Sequence, residues 1–320
     1  MVFEGVQLPL VHYVDDFLVI AKSPHECQVA LDLMLSVCHS AGFSVQPSKI
    51  TTPSPIVEFL GIVIDTELRQ LRISQDRLCE LKQEAVRWLG LKVLSKRRLL
   101  SVVGRLSFAS RVVRYGRAFL GRLIQAAKSA RALHHSVKLN SAACEDLAWW
   151  VACIDSHNGV AMLDPIWDED SPEVFTDSSG SAVGALCMGE WFSMTFTGRL
   201  AFASQRSINF KEFLAALMAL RTWAPRLQSR TVIFHIDNMV VCHILNSLYS
   251  PVPELMSCVR QWCLIAERFN IVIAPVYIPT DRNVDADDLS RLRVAEFKAR
   301  NPSARPCMTW PNLDFVSALL

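Results

Sequence analysis

The stretch "EVFTDSSGSAVGALCMGEWFSMTF" (residues 173–196) decides the fold of the second half of the chain. Its apolar runs are separated by turn residues at 179–180 and 189–190, which predicts three consecutive strands. Further along, the pattern alternates between helices and strands, with helices predicted over 210–227, to 245, over 253–268 and from 286, and strands near 231–238 and 271–278. Strands first and alternation afterwards are typical of a mixed-sheet α/β domain.

The first half opens differently, with a short hairpin. In "VHYVDDFLVI" (residues 11–20), Asp15 and Asp16 stand between two apolar runs that read as strands. A helix follows with a capping box at Ser23, and "VEFLGIVID" (residues 57–65) predicts two more strands. From about 73 to 132 the apolar residues recur with helical spacing.

Composition bounds the class of protein. The 320 residues are 51% hydrophobic with a mean hydropathy of +0.24, which predicts two or three domains with apolar cores and excludes a disordered chain. No apolar run approaches the roughly 18–20 residues that span a bilayer, and the N-terminus has no signal-peptide pattern. The ten cysteines include no CxxC pair. We therefore expect reduced thiols, a cytoplasmic or nuclear location and no membrane partner.

The net charge of +2 conceals an uneven distribution. Between Glu84 and Glu145 lie sixty residues without an acid, and they carry thirteen Lys or Arg. Such a run is often only a solvated helix face, but the missing counter-charge favours contact with the phosphates of a nucleic acid. The candidate nucleic-acid-binding residues are Lys96, Arg97, Arg98, Arg105, Arg111, Arg114, Arg117 and Arg122.

Four acids of the second half are candidate functional residues, although each also has a structural explanation. Asp177 suits the turn in "TDSSG", and Glu212 stands where the acid of a capping box beginning at Asn209 would stand. Asp237 follows a strand and suits a helix cap, and Asp287 suits the first turn of a short helix.

Together, the four acids suggest one site. The ends of neighbouring elements in a mixed sheet can converge on one face, and four clustered carboxylates require cations to offset their repulsion. Hard oxygen ligands favour Mg²⁺ or Mn²⁺. Two ions held about 4 Å apart can activate a water and stabilise the leaving oxygen of a phosphodiester.

The motifs around these acids resemble the catalytic blocks of a retroelement RNase H domain. They are "FTDSSG", "KEFLAALMAL", "HIDN" and "YIPTDRNVDADDLSR", the last similar to the pattern HxPGxxNxxADxLSR with Asp287 at the AD position. Asp285 and Asp288 are the less favoured acids nearby. The chain departs from the pattern at Tyr277, where the family has His, and at Thr280, where it has Gly. If the family's His acts in product release or proton transfer, its replacement by Tyr277 implies slower catalysis.

The first half resembles the C-terminal part of a reverse transcriptase. "HYVDDFLVI" is similar to the YxDD hairpin of the palm, "VEFLGIVID" to the strand pair after it, and the basic helices to the thumb. The run "LLSVVGRLSFASRVVRYGRAFLGRLI" with "DLAWW" looks most like retroelements of the tyrosine-recombinase (DIRS) type. The implied domains are a partial palm (1–68), thumb (69–139), connection (140–171), RNase H-like domain with a five-stranded sheet (172–294) and loose tail (295–320).

The resemblance implies a function. We expect cleavage of the RNA strand of an RNA–DNA hybrid, with Asp177, Glu212, Asp237 and Asp287 holding two Mg²⁺ or Mn²⁺ ions. Asp15 and Asp16 would be metal ligands of a polymerase site whose third acid lies upstream in the family, so we expect no polymerisation without an N-terminal polymerase portion in trans. A catalytically inactive nucleic-acid-binding remnant is the alternative, and an integrase- or resolvase-like nuclease is a weaker one.

Overall fold

The computed structural model describes residues 2–3, 6–7, 10–91, 93–154, 158, 161–162 and 170–307. These residues form two compact units, one from residues up to 114 together with 126–162, the other from 115–125 together with 170–307. Within the described ranges, no helix is long and apolar enough to cross a membrane.

The first unit begins with two small hairpins and then alternates strands with helices. Its strands are β1 (Val2–Phe3), β2 (Val6–Gln7), β3 (Leu10–Tyr13), β4 (Asp16–Val19), β5 (Ile56–Phe59), β6 (Ile62–Asp65), β7 (Gln70–Ile73), β8 (Val93–Ser95), β9 (Ser136–Lys138) and β10 (Ala161–Met162). Its helices are α1 (Pro24–Ser40), α2 (Gln75–Leu91), α3 (Lys96–Ala109) and α5 (Ser141–Cys153), while α4 (Gly121–Lys128) straddles the two units.

The core of the first unit lies among its helices and the antiparallel sheet of order β10-β7-β6-β5. The predicted capping box at the start of α1 is present, since the Ser23 hydroxyl accepts a hydrogen bond from the Glu26 amide at 3.2 Å. Helices α2, α3 and α5 bury one apolar face each, with Leu99 and Trp150 fully enclosed. Asn158 ties into the sheet by exchanging two hydrogen bonds with the backbone of Ile73.

The second unit is built on a mixed sheet. Its strands are β11 (Glu173–Ser178), β12 (Ala182–Cys187), β13 (Glu190–Thr195), β14 (Thr231–Ile236), β15 (Val272–Tyr277) and β16 (Arg305–Pro306), in the order β15-β14-β11-β12-β13-β16. β11, β12 and β13 pair antiparallel, as their hairpin turns require, whereas β14 runs parallel to both β11 and β15. The antiparallel strands come from residues 173–196, quoted in the sequence analysis. The parallel strands come from the later part of the chain, where helices connect one strand to the next.

Five helices accompany this sheet. They are α6 (Ile208–Trp223), α7 (Met239–Ser247), α8 (Pro253–Arg268), α9 (Val284–Ser290) and α10 (Val294–Arg300). Helix α6 is the centre of the core, because every residue from 210 to 220 is buried. Helix α8 has the bounds that the sequence predicts, 253–268.

The structure differs from the sequence prediction at two places, and one predicted domain is only partly described. The sheet has a sixth strand, β16, which pairs with β13 beyond the predicted five. Residues 294–306 form α10 and β16 rather than a loose tail, while the rest of that tail, 308–320, lies outside the described residues. The predicted connection contains a regular helix, α5, and part of it, at 155–157, 159–160 and 163–169, also lies outside the described ranges.

Candidate metal centre

Three carboxylates of the second unit meet at one end of its sheet. Asp177 stands on β11, Asp237 follows the last residue of β14, and Glu212 lies in the second turn of α6. One oxygen from each carboxylate lies within 4.8 Å of the others. Asp177 and Asp237 meet because β11 and β14 are parallel neighbours in which Thr176 pairs with Ile236. We call this group the acidic triad.

The acidic triad is largely closed to water. Asp177 is 4% exposed and Glu212 is 5% exposed, and Asp237 is half-buried. Burial, followed by the nearby carboxylates, raises the pKa of Glu212 to about 10. Burial also raises the pKa of Asp177 to about 7, with Asp237 and Asp287 adding to the rise and a hydrogen bond from Ser290 opposing it. Without a cation, the site therefore favours protonated carboxyl groups.

Neighbouring polar groups hold two members of the acidic triad in place. The buried Ser290 hydroxyl donates to an Asp177 oxygen, and the Thr280 hydroxyl donates to Asp237 at 3.1 Å. Asn283, on the loop before α9, donates to the Thr176 carbonyl at 2.9 Å. Sequence reasoning gave Ser290, Thr280 and Asn283 no role, although all lie within the quoted "YIPTDRNVDADDLSR".

Asp287, the fourth predicted acid, is not part of the acidic triad. Its two carboxylate oxygens are taken by arginines, Arg291 Nε at 2.6 Å on one oxygen and Arg293 on the other. It nevertheless lies close enough to raise the pKa values of Asp177 and Glu212. The structure thus places Asp287 beside the site, with its charge already paired.

Asp287 does lie in the first turn of α9, as its structural explanation predicted, whereas the structural roles considered for Glu212 and Asp237 are not the ones observed. The cap of α6 is Ser207, which accepts from the Phe210 amide at 3.3 Å, so Glu212 does not belong to a capping box begun by Asn209. The cap of α7 is Asn238, which accepts from the two amides that follow Met239, so Asp237 does not cap that helix. The less favoured acids Asp285 and Asp288 are both paired with Arg300.

The paired acids of the first unit lie apart from any comparable cluster. Asp15 is in the turn between β3 and β4, Asp16 begins β4, and both are exposed. Val14 precedes them at φ +55°, a left-handed conformation that β-branched residues rarely adopt. Among the described residues, the acidic triad is the one group of three or more acids, histidines or cysteines with metal-binding spacing, so the hairpin offers two ligands without a third.

The predicted nucleic-acid-binding residues divide into two groups. Lys96 and Arg105 have structural partners, since the Lys96 ammonium donates to the Ala130 carbonyl at 2.6 Å and Arg105 pairs with Glu84. Four of the remainder are exposed, and two are half-buried with further interactions. The exposed four are Arg97, Arg98, Arg111 and Arg117; the half-buried two are Arg114 and Arg122.

The residues present fit a divalent cation. One oxygen of Glu212 and one of Asp237 are buried without a hydrogen-bond partner, which costs free energy unless a cation binds there. All three ligands of the acidic triad are carboxylates, the hard donors that Mg²⁺ and Mn²⁺ prefer. The site therefore has the donor set, the enclosure and the unpaired atoms of a metal centre.

Comparison with known families identifies the chain. A model of the DNA polymerase (viral) C-terminal domain matches residues 68–309, about three quarters of the sequence. The chain belongs to the viral DNA polymerase C-terminal domain family. A model of reverse transcriptase (RNA-dependent DNA polymerase) matches residues 2–93 of this viral polymerase C-terminal chain. The curated proteins compared with it include no match.

Solved structures similar to this viral polymerase C-terminal chain include two kinds of protein. A foamy viral protease-reverse transcriptase in complex with double-stranded DNA is 19% identical, with 83% of this chain and 46% of that one covered and a TM-score of 0.43. Another, in complex with RNA/DNA hybrid, is 16% identical over 83% and 35%, with a TM-score of 0.39. RNase H1 from the archaeon Halobacterium salinarum is 16% identical over 39% and 97%, with a TM-score of 0.31.

The chain spans less than half the length of each of these two foamy viral reverse transcriptases and slightly more than half of a further one. The predicted fold class, a mixed α/β protein, is confirmed by the mixed sheet of the second unit and the helices that accompany it. The reverse transcriptase model agrees with the resemblance that the motifs of the first part of the chain predicted, and neither family model shows the tyrosine-recombinase type.

Proposed function

We propose that the chain is a Mg²⁺- or Mn²⁺-dependent ribonuclease H that cleaves the RNA strand of RNA–DNA hybrids. The observation that carries this proposal is the acidic triad, with three carboxylates converging from two parallel strands and a buried helix and two oxygens left without partners. The enzyme class follows from that donor set together with the polymerase family of the chain.

Each member of the acidic triad has a distinct proposed role. Asp177, buried and near both other acids, would be a ligand of both ions, and Asp237 would share that role from the end of β14. Glu212 would hold one ion with its unpaired oxygen and would orient the attacking water. Two ions, when bound, would supply an activated water and would stabilise the leaving oxygen of the phosphodiester. Asp287 would complete the set of ligands once its arginines release it.

The substrate is proposed to be a nucleic-acid duplex that the chain binds through contacts with its phosphates. Four exposed arginines lie in the sixty-residue segment that contains no acid, so their charges have little compensation nearby in sequence: Arg97, Arg98, Arg111 and Arg117. Binding through phosphates releases counterions, and the affinity then falls steeply as salt rises. RNA–DNA hybrid is the expected partner, and other nucleic-acid duplexes would make the same electrostatic contacts through their phosphates.

The YxDD hairpin is proposed to be a remnant of polymerase chemistry. Asp15 and Asp16 offer two carboxylates, and no third ligand lies within metal-binding distance among the described residues. We therefore propose that this chain alone does not extend primers and that a polymerase portion acting in trans would be needed. Membership of the tyrosine-recombinase type and a cytoplasmic or nuclear location are further proposals from the sequence.

The test is cleavage of a labelled RNA–DNA hybrid by the purified chain in Mg²⁺ and in Mn²⁺. Asp237→Asn should abolish cleavage while hybrid binding changes little, because the amide cannot replace the carboxylate as a metal ligand. Asp281→Asn is the matched control, because this acid is exposed on the turn before α9. Cleavage retained by Asp237→Asn would show the assignment to be wrong.

A second candidate function, a non-catalytic hybrid-binding remnant, is favoured by one observation. The fourth acid, Asp287, has both carboxylate oxygens paired with Arg291 and Arg293 and is not part of the acidic triad. Hybrid binding without hydrolysis in either metal would support this candidate and contradict the first.

A further inference from the structure

Asp287 is the most heavily paired acid beside the acidic triad. Arg291 Nε lies 2.6 Å from one carboxylate oxygen and Arg293 binds the other, so both oxygens are occupied. The Asp287 side chain is only 14% exposed, which weakens competition from water. Its backbone is fixed as well, because its amide donates to the Asn283 carbonyl at 3.0 Å. A cation that needs this carboxylate must therefore displace a guanidinium.

The two arginines are not equally replaceable. Arg293 also holds Asp288, a buried acid, through its Nε at 2.6 Å, and Asp288 is held in turn by Arg300. Arg291 pairs with Asp287 alone among the described acids, and its side chain is 55% exposed. Arg293 is therefore built into the packing of α9 against α10, whereas Arg291 can swing into water without breaking another ion pair.

Arg291 is also close enough to interact electrostatically with the acidic triad. The pKa of its guanidinium is raised, first by the hydrogen bond and charge of Asp287 and further by Asp177 and Asp237. The positive charge of Arg291 thus offsets the negative charge of Asp287 and part of the negative charge of the acidic triad. The acidic triad itself has no arginine or lysine ion pair in the described structure.

We propose that Arg291 is an internal counter-cation that competes with the second metal ion for Asp287. The first ion binds to the acidic triad, and the second binds more weakly because Arg291 must leave before Asp287 can act as a ligand. This inference rests on the proposed metal-dependent nuclease function and adds a residue that sets the order and affinity of metal binding. Arg291 is a positioning residue here, since it acts through Asp287.

The experiment is a calorimetric titration of the substrate-free chain with Mn²⁺, with bound ions counted by electron paramagnetic resonance. Wild type should bind one ion tightly and a second one weakly. Arg291→Gln should tighten the weak site roughly two- to fivefold, the range expected for removing one exposed ion pair. Arg291→Lys, which keeps the charge but loses the Nε contact, should fall between the two.

Two controls separate competition from a general change of charge. Arg282→Gln removes an exposed arginine from the turn before α9 and should leave both Mn²⁺ affinities unchanged. In an Asp287→Asn background, Arg291→Gln should have no further effect on the weak site, because the contested carboxylate is gone. A gain of equal size in that background would show a long-range field and would overturn the proposal.

The outcomes also separate this inference from the proposed function. An unchanged weak site in Arg291→Gln overturns the inference, while tight binding of the first ion keeps the nuclease proposal intact. If the wild-type chain binds no Mn²⁺, both fail together. Circular dichroism of each variant checks that the second unit remains folded.

Discussion

Among the acids of the site, Glu212 is the one whose ionised form is most destabilised by burial when no cation is bound. It lies on a helix in which every residue from 210 to 220 is buried, and one of its oxygens has no hydrogen-bond partner. An ionised carboxylate in such a place loses its hydration and instead takes up a proton, which explains its raised pKa. Proteins keep such groups where they bind something, and here the fitting ligand is a divalent cation.

The raised pKa values predict an unusual dependence of stability on pH. In the metal-free chain, Asp177 and Glu212 hold protons at pH values where the unfolded chain has lost them. Their contribution to stability is complete below about pH 4. It is then lost as the pH rises towards about 7 for Asp177 and about 10 for Glu212. Each group can lower the free energy of unfolding by up to about 1.4 kcal/mol per pH unit.

Urea denaturation in EDTA between pH 6 and pH 9 measures this effect. The midpoint should fall as the pH rises, and Glu212→Gln should remove most of the slope because the amide does not titrate. Excess Mg²⁺ should flatten the curve, since the cation stabilises the ionised carboxylates that the folded site otherwise disfavours. A midpoint that rises over this interval in EDTA would contradict the assignment.

The acids of the site were within reach of sequence reasoning, but their partners were not. Asp177 and Asp237 stand at ends of predicted strands, and Glu212 is an acid in an apolar helical run, so pattern and motif both point to them. The pairing of Asp287 with Arg291 and Arg293 depends on side-chain conformations that no spacing rule fixes. An arginine four residues after an acid on a helix is compatible with pairing, but also with an open metal ligand.

At the scale of elements, the contact between α9 and β12 positions this side of the site. A Cβ added at Gly184 would lie 2.5 Å from the Ser290 amide nitrogen and 2.5 Å from the Leu289 Cβ. The glycine therefore lets the helix lie directly on the strand. Two hydrogen bonds reinforce the contact. The Ser193 hydroxyl donates to the Leu289 carbonyl at 2.6 Å, and the Ser179 hydroxyl donates to the Ser290 carbonyl at 2.7 Å.

Gly184→Ala should therefore destabilise the second unit by about 1–3 kcal/mol, because the neighbouring atoms belong partly to backbone and cannot rotate away. The same change should loosen Ser290 from Asp177 and weaken metal binding. Thermal denaturation with and without Mn²⁺ measures both effects.

Gly180→Ala is the matched control, since an added Cβ there meets nothing within 4 Å. It should change the stability by no more than about 0.5 kcal/mol. Equal losses from the two substitutions would show that the close approach of α9 to β12 is not what matters.

Elements with a strong periodic signal were predictable, and those that depend on a tertiary contact were not. Helix α8 has the predicted bounds because a proline starts it and a long apolar stripe continues it. The ordered end of the chain was missed because β16 has only two residues and α10 contributes one large buried side chain, Phe297. Phe297 packs against the nearby Leu289 and against Trp191, which is far away in sequence.

At the scale of the whole molecule, the uneven charge predicts a salt-sensitive interaction. Arg97 and Arg98 are exposed at the start of α3, inside the segment without acids. If both contact phosphates, the double variant Arg97→Gln, Arg98→Gln should reduce the slope of log affinity against log salt by up to about 2. The cleavage rate at saturating hybrid should change little, because neither residue is near the acidic triad in sequence.

Fluorescence anisotropy with a labelled hybrid at several salt concentrations measures that slope. Lys22→Gln with Lys49→Gln is the matched control, because both lysines are exposed in the first unit but lie outside the acid-free segment. A slope that falls by the same amount in the control would mean that net charge alone governs binding.

The hydrogen bond between Ser290 and Asp177 joins residues 113 positions apart, and this separation has a consequence for biosynthesis. A ribosome that has released β11, α6 and β14 has made the acidic triad, but not the helix that closes it. The nascent chain therefore carries several acids without their partners until α9 has emerged. The formation of contacts between residues so far apart in sequence is slow. If the chain has the proposed ribonuclease activity, that activity is expected to appear late and abruptly during synthesis, once residues near 290 are free of the exit tunnel.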